Sequence, residues 1–247
     1  MSAPTPPVHL VVGAAGGIGS VLCDLLRERG AAVVPAGRRV DGIRAIAADF
    51  GTEPEVLDAR EPGAVEAAAR RTVERLGRLD GIVNLAGSIL LKPAHRTSHE
   101  EWRETLAQNL DTAFECVRAG AATMARGGGS IVLMSSAAAR VGLANHDAIA
   151  AAKAGVEGLA RSAAASYASR GLRVNVVAPG LVRTPLAANV LASEASEKAS
   201  VAMHPLGRLG EPRDVAEVIA WLLDPATSWV TGQVVGVDGG LGTLRAR

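Results

Sequence analysis

Lysine occurs at only three positions of this 247-residue chain, Lys92, Lys153 and Lys198, and tyrosine at one, Tyr167. Lys153 ends the run His146-Asp147-Ala148-Ile149-Ala150-Ala151-Ala152-Lys153. Helical spacing sets residue 149 one turn before the ammonium and His146 a further turn back. An imidazole there titrates in the range useful for acid–base work. Ser135 and Ser136, upstream, are hydroxyls that could polarise a substrate oxygen or simply finish a strand. Far away in sequence, Gly13-Ala14-Ala15-Gly16-Gly17-Ile18-Gly19 has the glycine spacing that lets backbone N–H groups approach a phosphate. His95 and His99 lie four apart beside Glu100, but a zinc site needs further ligands that the sequence does not offer. A solvated helix start is the better reading there, and no metal is expected.

These groups need a scaffold that gathers residues from both halves of the chain. Short β-branched runs alternate with longer Ala, Leu and Arg segments, which predicts strands over 8–12, 32–36, 55–57, 81–84, 130–134, 173–177 and 233–237. Helices are predicted over about 17–29, 41–50, 62–76, 98–126, 147–169 and 211–223. Strict alternation implies a parallel sheet with helices on both faces, because parallel neighbours need right-handed crossovers. The expected fold is an α/β, Rossmann-type, doubly wound sheet of about seven strands, a single domain filling 1–247. The stretch 183–210 has no clear strand and is expected to close over the site as a lid.

In that frame the first strand runs straight into Gly13, and a helix opens near Gly17. A helix N-terminus at that point meets a pyrophosphate, so a dinucleotide site is expected. The second strand ends Ala36-Gly37-Arg38-Arg39, with no carboxylate to accept from the adenosine ribose hydroxyls. An arginine suits the 2′-phosphate of NADP instead. NADP(H) is the preferred cofactor and NAD(H) the alternative; a solvated arginine pair opening the next helix is the competing reading of Arg38.

A net charge of +1, with 21% charged residues, gives no electrostatic footprint for nucleic acid or an anionic membrane. At 2% aromatic residues the chain also lacks base-stacking platforms. Cys23 and Cys116 make no disulfide framework and read as reduced thiols. No run approaches the roughly 18 apolar residues of a membrane span. Residues 1–23 lack the basic start of a secretory signal, so a cytoplasmic protein is expected.

Taken in order, the motifs resemble the classical short-chain dehydrogenase/reductase family over nearly the whole chain. Gly13, Ala15, Gly17, Ile18 and Gly19 resemble its cofactor turn, and Asp58 the acidic residue that meets the adenine. Asn84-Leu85-Ala86-Gly87 is similar to its Asn-Asn-Ala-Gly element, Asn109 to its catalytic Asn, and Ser136 to its catalytic Ser. Asn175 through Pro179 and Gly180, with Val182 and Thr184, resembles the segment that holds the nicotinamide end. Singly, Asp58 could be a helix cap before Glu61-Pro62, and Asn109 a helix-interior Asn satisfied by backbone. The resemblance implies carbonyl/alcohol oxidoreduction, and a homotetramer or homodimer packed through helices such as the Ala- and Gly-rich 148–168 segment.

One departure is chemical. The family carries a Tyr four residues before its active-site Lys, and Ile149 stands there in this chain. An aliphatic side chain cannot protonate an alkoxide. Tyr167 lies 14 residues beyond Lys153, about 21 Å along a helix, and cannot substitute. The resemblance also gives Lys153 a second task, binding the nicotinamide ribose, which survives. His146 resembles a substrate-contacting His of sugar and carbonyl reductases in the family, so His146 or a water becomes the candidate proton donor. A pocket-wall or exposed His is the competing reading. Val12 stands where the family commonly has Thr, and Leu85 for its second Asn; the first is expected to loosen the glycine turn.

The reading that follows is an NADP(H)-binding oxidoreductase with an altered proton donor. A non-redox enzyme of the same fold (cyclase, dehydratase or epimerase) and a cofactor-binding pseudoenzyme are the alternatives. Leu143, Leu186 and residues 88–94 are candidate walls, and their aliphatic character suggests an apolar small-molecule substrate.

Overall fold

The structure, a computed structural model, describes residues 5–124 and 127–244. In chain order its strands are β1 (Val8–Val12), β2 (Ala32–Gly37), β3 (Glu55–Val56), β4 (Gly81–Asn84), β5 (Gly129–Met134), β6 (Leu172–Pro179) and β7 (Val234–Val237). The helices are α1 (Gly17–Glu28), α2 (Val40–Phe50), α3 (Ala64–Leu76), α4 (His99–Leu106), α5 (Thr112–Thr123), α6 (Asp147–Tyr167), α7 (Glu194–Ala202) and α8 (Pro212–Leu223). The seven strands form one parallel sheet in the order β3-β2-β1-β4-β5-β6-β7.

Side chains of successive strand residues leave opposite faces, which fixes the two cores. From β1, Leu10 and Val12 pack with α3, α5 and α6, whereas Val11 packs with α1 and α8. Ala68 and Ala69 of α3 and Ala113 and Ala119 of α5 are fully buried, so these helices seat closely without bulky side chains. Every residue of β6 is buried, as befits an interior parallel strand covered on both faces. The strand order reverses between β1 and β4, and Val12 pairs in register with both Ala36 and Asn84. The carboxyl ends of three strands therefore open onto one crevice, the switch point where such sheets bind ligands.

Two elements differ from expectation. The long helix predicted over 98–126 is α4 and α5 joined by a π turn, Ala107–Asp111; residues 125 and 126 lie outside the described residues. The cause is local: Asn109 Nδ2 donates to Thr105 O at 2.9 Å, taking an acceptor that an α-helical N–H would use. The stretch 183–210 holds a short 3₁₀ turn, Pro185–Ala187, and α7. Its ends are pinned together: Arg183 N donates to Gly210 O, and Gly210 N to Leu181 O, both at 2.9 Å. No helix of the described residues is long and apolar enough to cross a membrane.

Candidate active site

The crevice begins at the glycine turn. Gly13 adopts φ +84, and a Cβ there would sit 2.8 Å from the Leu85 carbonyl carbon, so the turn lies directly on the chain leaving β4. Leu85 N donates to Val12 O at 2.8 Å, and Gly13 N to Ala36 O at 2.8 Å. Backbone bonds thus hold the turn that Val12 has no hydroxyl to fix. At Gly19 a methyl would meet Ala14 O at 2.6 Å, which keeps the first turn of α1 tight. Gly16 caps α1 without a side-chain bond, and no acidic residue stands in the first turn. The opening N–H groups of α1 are left for an anion, with the positive end of the helix dipole behind them.

Two connected cavities flank this turn, sharing Gly13, Gly17, Ala86 and Gly87. The outer one, about 380 Å³, is lined by Ala15, Arg38, Arg39, Asp58 and Arg60. Arg60 was not singled out by the sequence. Its guanidinium grips Asp58 at 2.6 Å and reaches Glu104 at 2.6 Å, while its own N–H donates to Asp58 Oδ1 at 3.0 Å. These bonds, from Arg60 first and the charge of Arg38 last, hold the Asp58 carboxyl down at about 2. Arg38 approaches the same carboxylate at 3.7 Å, and Arg39 donates to Ala15 O. Two guanidinium groups, of Arg60 and Arg38, therefore lie against one carboxylate, and a third, of Arg39, lines the same cavity. The Asx-type turn of Asp58-Ala59-Arg60 was the available signal.

The inner cavity, about 190 Å³, brings together Asn109, Ser136, Ile149 and Lys153 with Ile18, Gly19, Pro179, Gly180, Val182 and Thr184. Ser136 Oγ accepts from Ala138 N at 3.2 Å, which leaves its own proton to be donated. Ser135 turns away, bonding Lys153 O at 3.2 Å and Glu157 Oε1 at 3.0 Å. Asn109, buried in the π turn, donates to Ser88 Oγ at 3.0 Å and accepts from Ser88 N at 3.2 Å. Asn84 does not line either cavity; its amide donates to Thr112 Oγ1 at 3.1 Å and accepts from Ala86 N at 3.1 Å. Both asparagines thereby shape the 86–88 backbone from behind.

Lys153 Nζ donates to Met134 O at 2.9 Å. Burial lowers it from the usual 10.5 to about 8. Ile149, one turn earlier on the same face, is 5% exposed. His146 is the N-cap of α6, with Nδ1 2.8 Å from Ala144 O, and it lines neither cavity; nor does Leu143. Ser88, Ile89 and Leu186 do line the inner one.

His204, also unforeseen, is buried behind the turn after β6. Leu181 N donates to its Nε2 at 3.1 Å, and Nδ1 lies 2.7 Å from Ser200 O, so the ring ties α7 to the cavity wall. No local signal marks it.

The donor set fits a dinucleotide: an uncapped helix N-terminus in the middle, guanidinium groups at one end, and a lysine and serine at the other. A family profile described as enoyl-(acyl carrier protein) reductase matches residues 13–242. The chain is 40% identical over 239 residues to the cis-4-hydroxycyclohexanecarboxylate dehydrogenase of Sinomonas cyclohexanicum, covering 94% of this chain and 95% of that protein. It is 37% identical to a cyclohexanol dehydrogenase of Acinetobacter, over 94% and 93% of the two chains. A solved short-chain type dehydrogenase/reductase from Mycobacterium ulcerans superposes with a TM-score of 0.91 at 32% identity, over 97% and 91% of the chains.

Proposed function

The chain belongs to the short-chain dehydrogenase/reductase family, and from that premise we propose that it is an NADP(H)-dependent oxidoreductase interconverting an apolar ketone and its alcohol. The observation that carries this reading is the inner cavity itself, where Ser136 and Lys153 face the open end of the glycine turn. When bound, the nicotinamide supplies a hydride to the carbonyl carbon. Ser136 Oγ donates its free proton as a hydrogen bond to the substrate oxygen and so polarises it. Asn109 keeps the 87–88 backbone in place, and with Lys153 it holds ribose and water. Ile18, Ile89, Ile149 and Leu186 exclude bulk water and favour an apolar substrate. The relatives named for cyclohexanol and for a hydroxycyclohexanecarboxylate make alicyclic ketones the first panel to try.

Arg38, Arg39 and Arg60, which line the outer cavity together with the single carboxylate of Asp58, support a preference for the 2′-phosphate of NADP(H) over NAD(H). The pinned 183–210 segment, with Leu186 54% exposed, suits the proposed lid of a single 1–247 domain. A homodimer or homotetramer is supported by α6, whose exposed face carries small residues at 151, 154, 158, 162 and 165 beside Arg161, and by the half-exposed Phe114 on α5.

The test pairs binding with repair. Calorimetry should show NADPH bound more tightly than NADH. Ile149→Tyr places a phenol in the inner cavity one turn from Lys153 and should raise ketone reduction by about tenfold or more, since a positioned phenol is a better-placed proton donor than an aliphatic wall. Absence of turnover by both proteins, with NADPH bound, would defeat the reading.

A further inference from the structure

With an aliphatic residue at 149, the inner cavity still has to deliver a proton to the substrate oxygen. Its lining offers hydroxyls on Ser88, Ser135, Ser136 and Thr184, the amide of Asn109, and Lys153. Of these only the ammonium releases a proton near neutral pH; alcohols and amides do not. No carboxylate or imidazole is among the lining residues. His146 is outside the cavity, and in its neutral form a ring that donates from Nδ1 to Ala144 O has a lone pair, not a proton, on Nε2.

We propose that Lys153 Nζ is the proton donor of this site, passing its proton directly to the substrate oxygen that Ser136 holds. The role rests on the carbonyl-reductase reading. As the carbonyl carbon gains hydride from a reduced nicotinamide, its oxygen gains the lysine proton. The Nζ–H bond breaks, an O–H bond forms, the ketone is reduced by two electrons and the dihydronicotinamide is oxidised by two. Neutral Nζ then recovers a proton from solvent. In the oxidative direction the neutral amine takes the alcohol proton.

The surroundings of Nζ suit this duty. Along α6 the nearest titratable group is Glu157, whose carboxylate is bonded by Ser135 Oγ rather than by the lysine. The end of β5 contributes the Met134 carbonyl and two serines, the π turn contributes the neutral Asn109, and the chain after β4 contributes Gly87 and Ser88. From the β6 side comes Thr184, with His204 behind Gly180 held between Ser200 and Leu181. No salt bridge engages Lys153 among the described residues; one Nζ–H is held by Met134 O, and the ammonium has two more to give. Burial, which brings it to about 8, puts both protonation states within reach at working pH.

The test uses the full chain labelled with ¹³C at the lysine Cε; with three lysines the spectrum is simple, and Lys153→Arg identifies the signal. The Lys153 signal should titrate near 8 with and without NADPH bound, within about one pH unit. In kinetics, kcat/KM for ketone reduction should be level below that midpoint and fall about tenfold per pH unit above it, and alcohol oxidation should rise to the same midpoint. Lys153→Arg keeps a cation that cannot give up its proton. It should still bind NADPH by calorimetry, while reduction drops by about 10²-fold or more. Reduction within a few-fold of wild type in Lys153→Arg, or a kinetic midpoint well away from the spectroscopic one, overturns the role and leaves solvent as the donor. Absence of reduction by wild type and by Ile149→Tyr alike overturns the carbonyl-reductase reading, and this role with it.

Discussion

Replacing Lys153 by Met should make the protein more stable at pH 7 while weakening its grip on NADPH. In the folded chain, burial lowers the ammonium from 10.5 to about 8. At 1.36 kcal/mol for each tenfold change in the proton equilibrium, holding the charged form inside costs about 3 kcal/mol. Methionine keeps the apolar stem and removes that cost, but forfeits the bond to Met134 O, worth about 1 kcal/mol. A net gain of about 2 kcal/mol corresponds to a rise in Tm of about 4–8 °C for a chain of this size. The sign of the pH dependence follows, because the folded-state value lies below the unfolded one. The cost to wild type is complete below pH 8, shrinks as pH rises from about 8 to 10.5, and is gone above. Urea unfolding of both proteins at equal concentration should therefore show the variant ahead at pH 7 and the two nearly level at about pH 10. A variant less stable at pH 7, or a difference indifferent to pH, would refute the argument.

Two further substitutions probe the turn and the wall. Gly19→Ala puts a methyl 2.6 Å from Ala14 O, which forces the turn open; NADPH affinity should fall by about tenfold or more, and unchanged calorimetric binding would count against the cradle. His204→Phe leaves Leu181 N–H without a partner and Ser200 O with only the Met203 N–H, a loss of about 1–3 kcal/mol in urea unfolding. Substrate KM should rise more than NADPH affinity falls, because the ring ties α7 rather than the glycine turn; an unaltered KM with full stability would exclude that tie.

The sheet was legible because its signals are local. β-branched runs of strand length end at glycines, and the switch point follows from their alternation with helices. The glycine turn was legible for the same reason, as was the absence of a phenol, since Ile149 and Lys153 share one regular helix. Features made by docking were not. Arg60 reads as one surface arginine among many until the fold sets Asp58 and Glu104 on either side of it. The π turn depends on one amide reaching both a backbone carbonyl and Ser88, which only docking brings near, and His204 on where α7 comes to rest. His146 shows the limit of spacing arguments. Placing it over Ile149 assumes an unbroken helix, but the helix starts at Asp147, and Asn145 with φ +64 turns the chain just before it.

The energetics of the inner cavity bear on whether an altered site is a working one. A lone buried ammonium costs about 3 kcal/mol and has no carboxylate to offset it, so any aliphatic residue at 153 would be the more stable choice for folding alone. The chain departs from local regularity at a second place beside it, where a π turn interrupts the α4–α5 helix to bring Asn109 against Ser88. Folding by itself does not call for the buried ammonium, whereas the proposed function, binding a ribose and moving a proton, does. Ile149 is the opposite case: an apolar side chain in an apolar cavity adds nothing to binding a charged cofactor, but it leaves Lys153 with no phenol between Nζ and the substrate. The combination points away from a relic that has merely lost its acid and toward a site in which the lysine acts for itself.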